Sequence, residues 1–269
     1  MKRQKEEEGC EKVGDGAIVV KNLRKVYMVG GERVVALNKI NLTIPKGQIC
    51  CIFGTSGSGK STLLNQLAGL EKPTKGEVII DGVNISKLKE NQLSAFRQKN
   101  IGFVFQSYNL LATLTASENV AMPLMFKGVP KMLRMKKAYQ MLRQVGLKGR
   151  EEHKPNQMSG GQQQRVGIAR AFVAKPKIIF ADEPTGNLDT KTTLDIMEMM
   201  VRICRKNEQS MILVSHDDEL AHYADRIVTL IDGMIVSDVM NESPIGMSSV
   251  EEEGKKELKL QKEEGKEES

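Results

Sequence analysis

The chain has 269 residues, of which 40% are hydrophobic and 4% aromatic, with 40 Lys and Arg against 34 Asp and Glu for a formal net charge of +6. That length and apolar share suffice for the packed core of one large or two small domains, and they exclude a wholly disordered or fibrous polypeptide. The basic residues are scattered among acids and aromatics are scarce, which argues against a nucleic-acid-binding chain. No apolar run reaches the roughly 18 residues that cross a bilayer, and the N-terminal MKRQKEEEGCEK lacks the apolar core of a signal peptide.

Residues 1–16 are charged and have no apolar period, and read as a leader. AIVVKNLRKVY and VVALNKINLTIPKG then follow as β-rich stretches, and QICCIF is a short buried strand. Cys50 and Cys51 lie in that strand and read as buried thiols. With Cys10 and Cys204 they form no CxxC pair and no zinc spacing, which is the usage of a reducing compartment.

Directly after the strand comes Gly54-Thr55-Ser56-Gly57-Ser58-Gly59-Lys60-Ser61, followed by Thr62 and an apolar helical stretch. This fits GxxxxGK[ST] in the required context of strand before and helix after. The glycines let backbone N–H groups curl around phosphate oxygens, and the helix adds its positive N-terminal end. Lys60 would reach the terminal phosphates and the Ser61 hydroxyl would ligate Mg²⁺.

GEVIIDG is a further strand. Residues from about 107 to 172 lack strand runs and carry helical periodicity, as in KMLRMKKAYQMLRQVGL, which predicts an inserted helical subdomain. The methionines at 122, 125, 132, 135 and 141, and those at 197, 199 and 200, read as helix core packing. Near the end of this region QMSGGQQQR offers a Ser N-cap and two glycines that expose backbone N–H groups, a second anion-holding helix start.

KIIFADEP, MILVSHD and RIVTLIDG then follow as apolar runs of strand length, with the helical KTTLDIMEMMVRICRK among them. Strands alternating with helices predict an α/β core with a largely parallel sheet. Asp182 ends the apolar run of KIIFADEP, where a P-loop needs a metal-holding carboxylate, and Glu183 is placed to orient an attacking water. From residue 241 the chain becomes a Lys/Glu-rich tail of low complexity, expected to be disordered. There is no internal repeat, hence one copy of the unit.

Taken in order, these motifs resemble the nucleotide-binding subunit of ATP-binding cassette (ABC) transporters over residues 17–240. The resemblance implies an α/β P-loop NTPase cassette with a parallel core, an N-terminal antiparallel β subdomain and the inserted helical subdomain. It implies adenine stacking by Tyr27, which on its own reads as packing. It implies that Gln106, in IGFVFQSYNLL, touches Mg²⁺ and the membrane partner. Ser159, Gly160, Gly161 and Gln162 would form the signature, Asp189 the D-loop acid, and His216 the γ-phosphate sensor.

In such a family two chains meet head to tail, and each signature closes over ATP held by the other chain's P-loop. Met158 stands where Leu is usual, a volume-conserving swap. FVFQSYNLLATLTASENVAMPL and FADEPTGNLD are similar to the branch of macrolide exporters, lipoprotein-release systems and antimicrobial-peptide resistance ATPases. The expected function is ATP hydrolysis powering a separate membrane permease at the cytoplasmic face of the membrane. Control of a membrane partner without transport is the alternative within the fold, and a nucleic-acid-associated ABC ATPase is a remote one.

Overall fold

The structure, a computed structural model, describes residues 16–245. Residues 1–15, with Cys10, and residues 246–269 of the tail lie outside the described residues. Four strands, β1 (Gly16–Val29), β2 (Glu32–Pro45), β4 (Lys75–Ile80) and β5 (Val83–Asn84), form an antiparallel sheet in the order β2-β1-β4-β5. The second sheet holds β3 (Ile49–Phe53), β6 (Ile101–Val104), β7 (Ile178–Asp182), β8 (Ser210–Ser215), β9 (Arg226–Ile231) and β10 (Met234–Met240). Its order is β10-β9-β3-β8-β7-β6, parallel except for the β9/β10 hairpin at one edge.

The composition of the parallel strands follows from their burial. ICCIF and SMILVS are almost continuously apolar because both faces of the sheet are covered. Successive side chains point to opposite faces. Cys50, Ile52, Phe180, Ile212 and Val214 face a core shared with the antiparallel sheet and helix α1 (Lys60–Leu67). Ile49, Cys51, Ile179, Ala181 and Leu213 face a second core formed with helices on the other side. Burial pushes the Cys50 thiol up to about 12, and raises Cys51 and Cys204 as well, so these thiols are inert packing.

Helix α2 (Glu90–Asn100) precedes β6. Between β6 and β7 the chain forms α3 (Ala116–Phe126), α4 (Lys131–Gln144), a 3-10 turn (Pro155–Gln157) and α5 (Gly160–Phe172). After β7 come α6 (Thr190–Lys206) and the short α7 (Asp218–Ala221). The methionines divide. Met141, Met197, Met199 and Met200 are buried in the helical core, as their spacing predicts. Met125 and Met132 are instead 44% and 88% exposed, because α3 and α4 turn those positions outward.

Gly167 lies inside α5, where glycine costs about 1 kcal/mol relative to alanine. A Cβ there would stand 3.6 Å from the Tyr108 carbonyl oxygen and 3.7 Å from Gln164 Oε1, which is ordinary van der Waals contact. Gly167→Ala is therefore expected to stabilise the fold by roughly 0.5–1 kcal/mol, read as a higher denaturation midpoint at unchanged slope. Among the described residues no helix is long and apolar enough to cross a membrane.

Candidate active site

The carboxyl ends of three adjacent parallel strands build the site. Phe53 of β3 pairs with Ser215 of β8, and Asp182 of β7 pairs with Val214 of β8, so the three strand ends lie level. Ligands in open α/β sheets bind at this edge. The loop Gly54–Gly59 leaves β3 here, and Asp182, Glu183 and His216 leave β7 and β8 beside it.

The loop needs its glycines. Gly59, the N-cap of α1, has φ 101°, and a Cβ on it would lie 2.6 Å from the Ala36 carbonyl oxygen. Lys60 is buried at 5% exposure, and its Nζ donates to the Thr55 carbonyl oxygen at 2.8 Å, drawing the ammonium over the loop. Ser61 Oγ donates to Asp182 Oδ1 at 3.2 Å. A hydroxyl and a carboxylate oxygen side by side are the hard oxygen donors that suit Mg²⁺. Asp182 is raised above the usual carboxylate range, first by burial and further by the neighbouring Glu183, while Ser61 and Lys60 oppose the rise.

Glu183 has φ 41°, a left-handed conformation uncommon for a residue other than glycine and typical of functional turns. Its N–H donates to the Val214 carbonyl at 3.1 Å, and its Oε1 lies 3.1 Å from His216 Nδ1. Glu183 and His216 together close a cleft over Phe53, Gly54, Thr55 and Ser56. Gln106 approaches Glu183 at Gly186. A Cβ built on Gly186 would be 3.1 Å from Gln106 Nε2 and 3.7 Å from Glu183 Oε2, so both side chains converge over that glycine.

Tyr27 lies beside α1, with Thr62 near its hydroxyl. The hydroxyl donates to Glu71 Oε2 at 2.7 Å, and Lys25 Nζ lies 5.0 Å from the ring centroid. Burial raises the phenol, and the Glu71 hydrogen bond adds to the rise. These contacts fix the ring; sequence reading missed Lys25 and Glu71.

The signature residues stand elsewhere. Ser159 is the exposed N-cap of α5 and forms a capping box: its N–H donates to Gln162 Oε1 at 3.1 Å, and its hydroxyl accepts from the Gln162 N–H at 3.4 Å. Its glycines also have a reason within the chain. A Cβ on Gly160 would come to 2.9 Å of Tyr108 Oη, and one on Gly161 to 2.8 Å of Thr192 Cγ2. Asp189 caps α6 through Thr192, accepting from its N–H at 3.0 Å and its hydroxyl at 2.7 Å. That backbone hydrogen bond, with the hydroxyl, holds the carboxyl below its usual range. The strand edge thus gathers Gly54–Ser61 with Gln106, Asp182, Glu183 and His216. Ser159–Gln162 pack against the Asp189 turn and Tyr108.

Sequence reading also missed the residues that hold these loops. Gln164 is 0% exposed and donates from Nε2 to the Pro184 carbonyl and, at 3.4 Å, to the Phe105 carbonyl. Arg170 donates to the carbonyls of Tyr108 and Asn109, and burial lowers its pKa. A signal was available for the glutamine: Gln164 shares an i, i+3, i+4, i+7 stripe with Gly167, Ile168 and Ala171, all buried.

Residues 37–186 match the family model described as ABC transporter. The match begins after Tyr27 and ends before His216. The chain is 46% identical over 219 residues to the lipoprotein-releasing system ATP-binding protein LolD of Geobacter metallireducens, covering 81% of this chain and 97% of that protein. It is 42% identical over 229 residues to the macrolide export ATP-binding/permease protein MacB of Vibrio parahaemolyticus, covering 85% of this chain and 35% of that longer protein. The structure resembles the dimeric post-hydrolysis state, bound to ADP and Pi, of the ATP-binding cassette MJ0796 of Methanocaldococcus jannaschii. The TM-score is 0.79 at 42% identity, over 84% of this chain and 99% of that one.

Proposed function

The chain belongs to the ABC transporter family as an ATP-binding, ATP-hydrolysing subunit, and from that premise we propose that it drives a separate membrane permease through ATP-dependent closure of a two-chain clamp. The observation that carries the reading is the convergence of the Gly54–Ser61 loop, Asp182, Glu183, His216 and Gln106 at one strand edge, with Ser159–Gln162 set apart on α5. A phosphate site of which one chain holds only part calls for a second copy, and the related cassette is dimeric.

Backbone N–H groups of Gly54–Gly59 and the Lys60 ammonium hold the phosphates, with Tyr27 and Thr62 on the nucleoside side of α1. Ser61, Asp182 and Gln106 would hold Mg²⁺, which supplies charge neutralisation at the phosphates. Glu183 accepts a proton from the water whose oxygen attacks the γ-phosphorus, and the β–γ bridging P–O bond breaks to release ADP and inorganic phosphate. His216 holds the Glu183 carboxylate toward the loop and senses the γ-phosphate. The partner chain's Ser159–Gln162 and Asp189 turn complete the site, so binding closes the dimer and hydrolysis loosens it.

The relatives' names favour a lipoprotein or a drug-like macrolide as the cargo that is exported or extracted, with a peptide as the further class, and the subunit is held at the cytoplasmic face by its permease. The test is reconstitution with the permease in liposomes. Cargo should stimulate ATP turnover several-fold and move in step with it. Turnover indifferent to every cargo, with partner activity still tracking ATP, would favour control of a membrane partner without transport.

A further inference from the structure

We propose that Gln164 is a positioning residue that makes the hydrolytic residues of a chain answer to its own signature helix. The proposal rests on the roles given above to Glu183, Gln106 and Ser159–Gln162. Gln164 is fully buried on α5, just past the Ser159–Gln162 capping box. Its Nε2 donates to two carbonyls, those of Phe105 and Pro184. Phe105 immediately precedes Gln106, and Pro184 immediately follows Glu183. One amide therefore ties together the two loops that carry these side chains.

The amide's orientation is fixed. Both neighbours are acceptors, so a flipped amide would set its oxygen against two carbonyl oxygens. Gln164 Oε1 has no hydrogen-bond partner, so the side chain's polar contacts are those made by Nε2. The loops it grips are themselves stiff. Gly186 N–H donates to the Glu183 carbonyl at 3.2 Å, and Leu188 N–H to the Thr185 carbonyl at 3.0 Å. Arg170, further along α5, holds the carbonyls of Tyr108 and Asn109.

A shift of α5 as its first turn engages the partner-bound phosphate is thus carried directly to Gln106 and Glu183. Hydrolysis becomes contingent on docking of the signature, and ATP binding by one chain does not.

The test uses the purified full chain with Gln164→Leu and, at equal volume, Gln164→Glu, beside Gln106→Ala, Glu183→Gln and the Gln106→Ala/Gln164→Leu pair. Titration with a fluorescent ATP analogue should give affinities within about twofold of the unsubstituted chain for both Gln164 variants. Turnover per folded molecule should fall about tenfold or more, since small misplacements of catalytic groups are costly in rate. The double variant should lose less than the product of the two single losses, because both act on one glutamine. Gln164→Glu has its own signature. A buried carboxyl has a raised pKa, and only its protonated form donates, with one O–H to one of the two carbonyls, so its turnover relative to the unsubstituted chain should recover in part as pH falls.

Turnover within about twofold of normal in both Gln164 variants, or multiplicative losses in the double variant, would overturn the proposal. If Glu183→Gln still hydrolyses ATP, the reading of the carboxylate fails. If Glu183→Gln is inactive and Gln164→Leu is normal, the positioning role alone fails.

Discussion

Glu183→Gln should bind ATP as the unsubstituted chain does and turn it over about 10²–10⁴-fold more slowly, the usual contribution of a positioned general base. The amide is nearly isosteric, so it can keep a hydrogen bond to His216, which now lies 3.1 Å from the carboxylate. It cannot accept the proton of the attacking water. Because the γ-phosphate then persists, the contacts that close the dimer persist with it, and size-exclusion chromatography with ATP should show a stable two-chain species. Steady-state turnover near normal would remove Glu183 as the base. Monomeric elution with ATP bound would remove the clamp.

Ser159→Arg should leave ATP binding by the single chain intact and abolish hydrolysis. Ser159 is exposed and caps α5, not the helix α1 that follows the Gly54 loop, so in the proposed dimer a bulky cation there would block the partner's site and not its own. The substitution also removes an N-cap, worth about 1 kcal/mol, and Ser159→Ala measures that part separately. Lys60→Ala should lose ATP affinity by about one to two orders of magnitude, the scale of a charge-assisted hydrogen bond. A mixture of Ser159→Arg and Lys60→Ala chains can assemble one complete composite site, so it should regain turnover that neither variant shows alone. Hydrolysis at the normal rate by Ser159→Arg alone would overturn a site shared between two chains.

Much of this site was legible because its parts are local. Strand, glycine-rich turn and helix follow one another within Ile49–Leu67, and each conformational demand falls on residues within a few positions. The same holds for Ser159 as an N-cap and for Asp182 at a strand end. Other parts were reached only through the order of motifs: Gln106, Tyr27 and His216 carry no local sign of the roles proposed for them. The exposed Met125 and Met132 ran against the sequence expectation because helical period gives a face but not what covers it. The helical stripe marks Gln164 as buried, but what it holds appears only once its acceptors, the Phe105 and Pro184 carbonyls, are placed.

By itself the sequence determined the kind of elements, their order, and a phosphate-binding turn, since those depend on backbone preference and side-chain period over short windows. The tertiary structure decided which groups meet. Ser61 and Asp182 are 121 residues apart and Glu183 and His216 are 33 apart, and both pairs form because β3, β8 and β7 lie side by side in one register. It also decided that Gln164 should bridge Phe105 and Pro184, and that the signature glycines should pack on Tyr108 and Thr192. Such contacts arise from burying two faces of one parallel sheet, an energy summed over the whole chain and encoded in no short stretch of it.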